Sequence, residues 1–327
     1  IFLRYVVITF SIVVSLISIL SLFDDIPVWY FKILDFPRIQ YLIVALLCMI
    51  AVLFLNRKWK FPAVLLVLGL LVSIGIQSWL ILPYYLGEKT VPDALGKESS
   101  GSNFSVLVSN VLITNKNSEG LIEVISTNKP DMVLAVEADS WWIDELQVLK
   151  DSYPYFMELP LDNGYGMALY SKLKLENNRI EFLDKDNVPS FHTDVVLKSG
   201  KSIQFHGVHP VAPAPSDKYP DNLGKEEKTL GKVGEMVREG KIPTIVAGDF
   251  NDVSWSPSSR LFENGDVLKN VQMGRGIFSS FDANSSILRW PLDHYYVTEH
   301  FALSRLERLP YVGSDHFPML AEFVLLN

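Results

Sequence analysis

Apolar residues are distributed along this chain in two different ways. From Tyr5 to Phe23, from about Ile39 to Leu55 and from about Phe61 to Leu82 they run on without a single charge. Each run is long enough to cross a bilayer as a helix, which takes roughly 20 residues. Trp29, Trp59, Trp79, Tyr84 and Tyr85 fall near the ends of the runs, where amphipathic rings favour the membrane interface. Three such runs within 87 residues are hard to place in one water-soluble core. The first does not read as a cleaved leader, because ISILSLFDD offers no small-residue cleavage site.

After residue 87 the pattern changes. Residues 87–102 (GEKTVPDALGKESSGS) have no apolar periodicity and read as a linker, with a second domain expected from Asn103 to Asn327. In that domain FSVLVSNVL (104–112) and DMVLAVE (131–137) are continuous enough in apolar residues to be buried strands. Further strands are expected at 166–171, 175–183, 192–200, 201–209, 242–251, 293–298 and 317–326, and helices at 118–129, 140–149 and 223–239. Strands joined by helices in some places and by tight turns in others predict a layered α/β domain with mixed sheets.

Charge follows the same division. Residues 1–87 carry six Lys/Arg against three acids, whereas the remaining 240 carry 23 against 34, a net of −11. The basic stretch NRKWK between the second and third runs marks a cytoplasmic loop. The start of the chain is then expected inside, and everything after the third run outside the cell membrane. The single cysteine, Cys48, excludes an intrachain disulfide. The chain begins at Ile1, which leaves open a segment before it.

The polar residues that interrupt the expected strands gather at strand ends and are of one chemical kind. Asn110 and Glu137 close the first two strands, and His209 ends one in HGVHP. Asp249 and Asn251 end another in VAGDFN; Asp293 opens DHYYVT, and Asp315 and His316 precede the last strand in GSDHFP. Carboxylates and amides without cysteine suit a hard cation such as Mg²⁺ or Mn²⁺. Histidines beside them can move protons at neutral pH. Taken singly, Asn110 could cap a turn, GDFN could be an Asp/Asn turn, and His192 and His206 read as structural strand residues.

In order, SNVL, AVEAD, GMALYS, GVHP, GDFN, PLDHYYVT and GSDHFPM resemble the endonuclease/exonuclease/phosphatase superfamily over essentially all of residues 103–327. The resemblance implies a DNase I-like four-layer α/β/β/α sandwich and metal-dependent hydrolysis of phosphoric esters. It implies Glu137 as the principal ligand of Mg²⁺ (or Mn²⁺), with Asn110 and Asp315 organising that site. It further implies that Asp249 and Asn251 orient water and phosphate, that His316 paired with Asp293 is the base-like group, and that His209 contacts the phosphate. One departure stands out: some nucleases carry an acid two residues after the Asn, where this chain has Leu112, which argues against a second metal position.

An acidic domain with no basic stripe disfavours nucleic acid as the partner, since phosphate neutralisation supplies most non-specific affinity. A membrane tether and an external domain favour a small or lipid-linked phosphate ester or pyrophosphate, with membrane lipids as neighbours. The same arrangement resembles bacterial membrane phosphatases of the vancomycin/teicoplanin-resistance type, which implies undecaprenyl pyrophosphate as a substrate. The alternatives are an external nuclease and, from another class, a membrane-tethered binding protein without activity.

Overall fold

A computed structural model describes residues 2–23, 28–56, 60–94, 102–214, 228–240, 242–263 and 267–326. It divides into two compact units. One comprises the described residues among 1–87, 213–225 and 255–257; the other comprises the remainder.

The first unit holds α1 (Phe2–Leu20), the short α2 (Trp29–Ile33), α3 (Arg38–Leu55) and α4 (Phe61–Leu86). Three of these, α1, α3 and α4, are long and apolar enough to cross a membrane, and little of each is buried inside the protein. Large apolar side chains such as Phe10, Leu47 and Leu71 point outward. The polar groups point inward. Ser18 Oγ lies 2.6 Å from Ser73 Oγ, and Gln77 donates to Ser18 at 3.0 Å. The Arg38 guanidinium bonds Ser21, Gln77 and Asp35. This inside-out distribution is what a lipid solvent requires, because a buried polar group must find its partner within the protein.

The second unit contains, in chain order, β1 (Asn103–Asn110), α5 (Ser118–Asn128), β2 (Met132–Val136), α6 (Ser140–Leu146), a 3₁₀ turn (Gln147–Asp151), β3 (Tyr155–Leu159), β4 (Met167–Ser171), β5 (Lys174–Glu181), β6 (Ser190–Val196) and β7 (Ser202–Val208). There follow α7 (Lys228–Gly240), β8 (Thr244–Asp249), α8 (Pro257–Glu263, whose first residue falls in the other unit), β9 (Lys269–Asn270), β10 (Asp293–Val297), β11 (Phe301–Arg308) and β12 (Met319–Leu325). Two six-stranded sheets result, ordered β11-β12-β1-β2-β4-β3 and β5-β6-β7-β8-β10-β9. Only the β1/β2 and β7/β8 neighbours run parallel.

The sheets stack through a core that includes Val106, Val108 and Leu134 from one and Phe191, Phe205 and Tyr295 from the other. On the outer face of the first sheet, Leu107 and Val133 meet α5 and α6; on the outer face of the second, Val246 and Tyr296 meet α7 and α8. Both faces of the central strands are therefore covered, which is why their sequences read as unbroken apolar runs. The result is the four-layer α/β/β/α sandwich. Tyr295 crosses between the sheets: its hydroxyl donates toward the carbonyls of Val106 at 3.0 Å and Met319 at 2.7 Å.

Local signals explain the helix starts. Asn117 accepts from Gly120 N at 3.2 Å to cap α5, and Asp139 accepts from Trp142 N at 2.9 Å to cap α6. The expected linker is in part not a linker. Val91 and Ala94 are buried, and Arg275 bonds Asp93, so residues 88–94 pack as part of the second unit. Residues 95–101 lie outside the described segments, as do 223–227 at the start of the helix expected at 223–239. The strands β3, β9 and β11 and the helices α2 and α8 are additions to the expected set.

Candidate active site

Strand register brings the polar strand ends together. Parallel pairing sets Asn110 against Val136, so Glu137 follows immediately beside it. Parallel pairing of β7 with β8 sets Val208 against Gly248, one residue before His209 and Asp249 respectively. Antiparallel pairing of β8 with β10 sets Asp249 directly opposite Asp293. Glu137 and Asn251 then leave their strands with φ of 62° and 52°. Such values are uncommon for residues other than glycine and cluster where side chains are turned toward a site.

Gly248 permits the close approach of β7. A Cβ there would lie 1.9 Å from the Val208 carbonyl oxygen, and the residue's φ is 152°. The glycine of GDFN is thus a packing requirement for the aspartate that follows it.

Asn110 is the hub. Its Nδ2 donates to Glu137 Oε1 at 2.8 Å and to Asp249 Oδ2 at 2.9 Å, while its Oδ1 accepts from Leu112 N. Asn251 donates its backbone N–H to Asp249 Oδ1 at 2.8 Å and its amide to the Pro210 carbonyl. His316 Nδ1 lies 2.7 Å from Asp293 Oδ2, and its Nε2 lies 3.5 Å from Asp249 Oδ2. His209 Nε2 is 3.7 Å from the same oxygen, and neither ring nitrogen of His209 has a hydrogen-bond partner among the described residues. All eight residues expected from the sequence thus fall at the adjacent strand ends of the two sheets.

The electrostatics follow from burial and neighbours. Burial pulls the His316 imidazole down, but Asp249 and Asp293 outweigh it and push the group up to about 10. Burial raises Asp249, yet His316, His209 and the Asn110 amide outweigh it and hold the carboxyl below its usual range. For Asp293 burial wins, and its carboxyl is raised. Burial, with the nearby Glu137 and Asp249, outweighs the lowering pull of His316 and raises Asp315.

That crowding of acids bears on a cation. Asp249, Asp293 and His316 bring ligand atoms within 4.8 Å of one another, but the imidazole already faces a carboxylate at each nitrogen. Glu137 and Asp315 differ: among the described residues neither pairs with a lysine or arginine. Two neighbouring carboxylates that no described lysine or arginine pairs with fit a hard divalent ion through oxygen donors.

Several contributors carry no motif. Ser280 Oγ accepts from Asp293 N at 3.1 Å, and Ser314 Oγ donates to the Asn110 carbonyl at 2.8 Å while accepting from His316 N. The rings of Tyr165 and Phe281 lie 5.0 Å from His209 and 4.9 Å from His316. Only their contacts reveal them. His192 and His206 pair with each other through Nδ1 atoms 2.6 Å apart and take no part in this cluster.

The model of the Endonuclease/Exonuclease/phosphatase family matches residues 104–316. The chain belongs to the endonuclease/exonuclease/phosphatase family. Among solved structures it is similar to a humanized TDP2 of D. rerio, with 17% identity and a TM-score of 0.57, covering 68% of this chain and 99% of that one. It is also similar to the human Nocturnin catalytic domain, with 19% identity and a TM-score of 0.55, covering 68% and 94%. An endonuclease/exonuclease/phosphatase from Beutenbergia cavernae DSM 12333 aligns at 16% identity with a TM-score of 0.55, covering 69% and 72%. At these identities the likeness shows the DNase I-like fold. A comparison with curated proteins finds no match. Membership and fold make this family chain a metal-dependent phosphoric ester hydrolase.

Proposed function

We propose that the protein is a membrane-anchored phosphoesterase that hydrolyses a small or lipid-linked phosphate ester or pyrophosphate on the external side of the cell membrane. The observation that carries this reading is an acid cluster, Glu137 with Asp315, that no described lysine or arginine pairs with, together with His209, whose buried ring nitrogens make no hydrogen bond among the described residues. The membrane part rests on the three apolar helices and the basic loop between the last two.

In this proposal Glu137 and Asp315 hold Mg²⁺, with Mn²⁺ as a substitute, and Asn110 fixes Glu137 in place. A bound divalent ion offsets charge on the phosphoryl oxygens. Asp249, held by Asn110 and the Asn251 N–H, orients the attacking water. Asp249, kept anionic by the protonated His316 beside it, takes up the proton that this water loses, and Asp293 fixes the imidazole. His209 donates to a phosphoryl oxygen, and Asn251 positions the ester. In-line attack needs this division between water and phosphate positioning.

The test is a hydrolysis screen of the full chain in vesicles, with and without EDTA, that follows phosphate from lipid pyrophosphates, head-group release from phospholipids, p-nitrophenol from bis(p-nitrophenyl) phosphate and strand cleavage of DNA. Metal-dependent release from a phosphoric ester supports the reading. Absence of release from all of them with both metals overturns it, and preference for DNA makes the protein a nuclease.

A further inference from the structure

The two imidazoles of the site are held in different ways. His316 faces a carboxylate at each nitrogen, with Asp293 Oδ2 2.7 Å from Nδ1 and Asp249 Oδ2 3.5 Å from Nε2. His209 is as deeply buried, yet neither of its nitrogens has a hydrogen-bond partner among the described residues, and Asp249 Oδ2 stands 3.7 Å from Nε2. An imidazole without such bonds keeps a single rotamer only where packing leaves no other. The ring packed on it is that of Tyr165, with centroids 5.0 Å apart and planes 36° apart. Aromatic pairs favour separations of this size.

The segment that carries Tyr165 is itself anchored. Asn163 Oδ1 accepts from Tyr165 N at 2.9 Å, and the Asn163 amide donates to the Asn187 carbonyl at 2.9 Å. Ala138 N donates to the Gly166 carbonyl at 2.9 Å. A Cβ on Gly166 would lie 2.0 Å from the Ala138 carbonyl oxygen, so the glycine lets this segment close against the residue that follows Glu137. Tyr165 stands two residues before β4 of the first sheet, and His209 one residue after β7 of the second. The stack therefore joins the two sheets at the site. Phe281 lies 4.9 Å from His316 in a similar way, but Asp293 already orients that imidazole.

We propose that Tyr165 is a positioning residue: its ring, rather than a hydrogen bond, sets the orientation of His209 and leaves both imidazole nitrogens free for a phosphoryl oxygen. A nitrogen that donates its proton to a carboxylate has none left to offer the substrate. The inference rests on the phosphoesterase reading and names what aims its phosphate-contacting histidine.

The full-length protein in phosphatidylcholine vesicles is assayed with Mg²⁺ on whichever of bis(p-nitrophenyl) phosphate, geranylgeranyl pyrophosphate and DNA it turns over fastest. Tyr165→Leu removes the flat face and should lower kcat/KM about 10- to 100-fold, the range that a misplacement of about 1 Å covers. Tyr165→Met carries the same expectation as a second, differently shaped truncation. Tyr165→Phe keeps the ring and should recover most of the loss. The Mg²⁺ concentration at half-maximal rate should stay at the wild-type value, since Glu137 and Asp315 are untouched. Coupling separates positioning from general damage: in a His209→Gln background Tyr165→Leu should cost little more, because its effect passes through the imidazole. Additive losses, a phenylalanine variant as impaired as the leucine one, or wild-type kcat/KM in both truncations overturns the inference, while turnover by the wild-type protein keeps the phosphoesterase reading. No turnover of any of the three substrates overturns both.

Discussion

Asp249 and Asp293 sit directly opposite each other on antiparallel β8 and β10, and both carboxylates turn toward the one imidazole of His316. Opposed like charges on neighbouring strands are destabilising unless something compensates them. The His316 proton does so here, and the pair and the histidine therefore behave as a unit. His316→Ala should lower turnover about 10²–10⁴-fold. Asp293→Asn should lower it strongly too, and the two losses should not add. A double-mutant cycle on kcat decides the matter; additive losses would mean that Asp293 and His316 act separately.

Glu137→Gln removes one full charge from the acid cluster while keeping the side chain's size and the acceptor for Asn110. The variant should fold normally and lose most metal affinity and turnover. Titration of Mg²⁺ or Mn²⁺ against phosphate release reads this directly. Wild-type rates at limiting metal would remove Glu137 from the ligand set.

Gly248→Ala tests whether the strand ends are set by backbone approach. The new Cβ would press on the Val208 carbonyl, and relief requires β7 and β8 to separate. A destabilisation of about 3 kcal/mol or more is expected, at the high end for single substitutions, accompanied by loss of activity because Asp249 moves. Thermal unfolding of the purified protein in detergent, unchanged from wild type, would contradict it.

The His192–His206 pair gives a pH dependence. Burial first, then the neighbouring His206 and Arg179, hold His192 down to about 3; burial and Arg179 hold His206 down to about 4. In the unfolded chain both titrate near 6.5. Above pH 6.5 neither state is protonated and the full stability is present. As the pH falls from there toward the folded values, only the unfolded chain takes up protons, and stability is lost by about 2 kcal/mol per histidine near pH 5. Amide exchange in β6 and β7 should accelerate between pH 7 and pH 5 beyond the intrinsic rate. Replacing both histidines with leucine should flatten that change.

A reporter fused after Asn327 should be active only outside the membrane, and one inserted between Asn56 and Lys60 only inside. Cytoplasmic activity of the C-terminal fusion would reverse the proposed orientation and withdraw the argument for an external lipid substrate.

The legible parts of the fold share a physical cause. β2 and β8 are buried on both faces, so Met132–Val136 and 245–248 carry no polar side chain before the functional one, and strand and site are visible together. β3 lies at a sheet edge with mixed burial, and β11 carries a register shift between Leu303 and Arg305 that breaks its alternation. Neither offers the period on which a strand is read. Val91 and Ala94 are isolated apolar residues in a polar stretch, so their packing has no sequence pattern at all. For the site, Glu137 and Asp249 end apolar runs and stand out chemically. Ser280, Ser314, Tyr165 and Phe281 act only through what they touch, and touching is a property of the folded chain.

The hydroxyl of Tyr295 reaches from one sheet to carbonyls on two strands of the other, and the candidate active site likewise draws Asn110 and Glu137 from one sheet and Asp249 and Asp293 from its partner. Neither sheet alone holds half a catalyst of any use. During refolding, hydrolytic activity should therefore return with the late docking of the two sheets, after the secondary structure of each has formed, which makes catalysis a clock for the last stage of assembly.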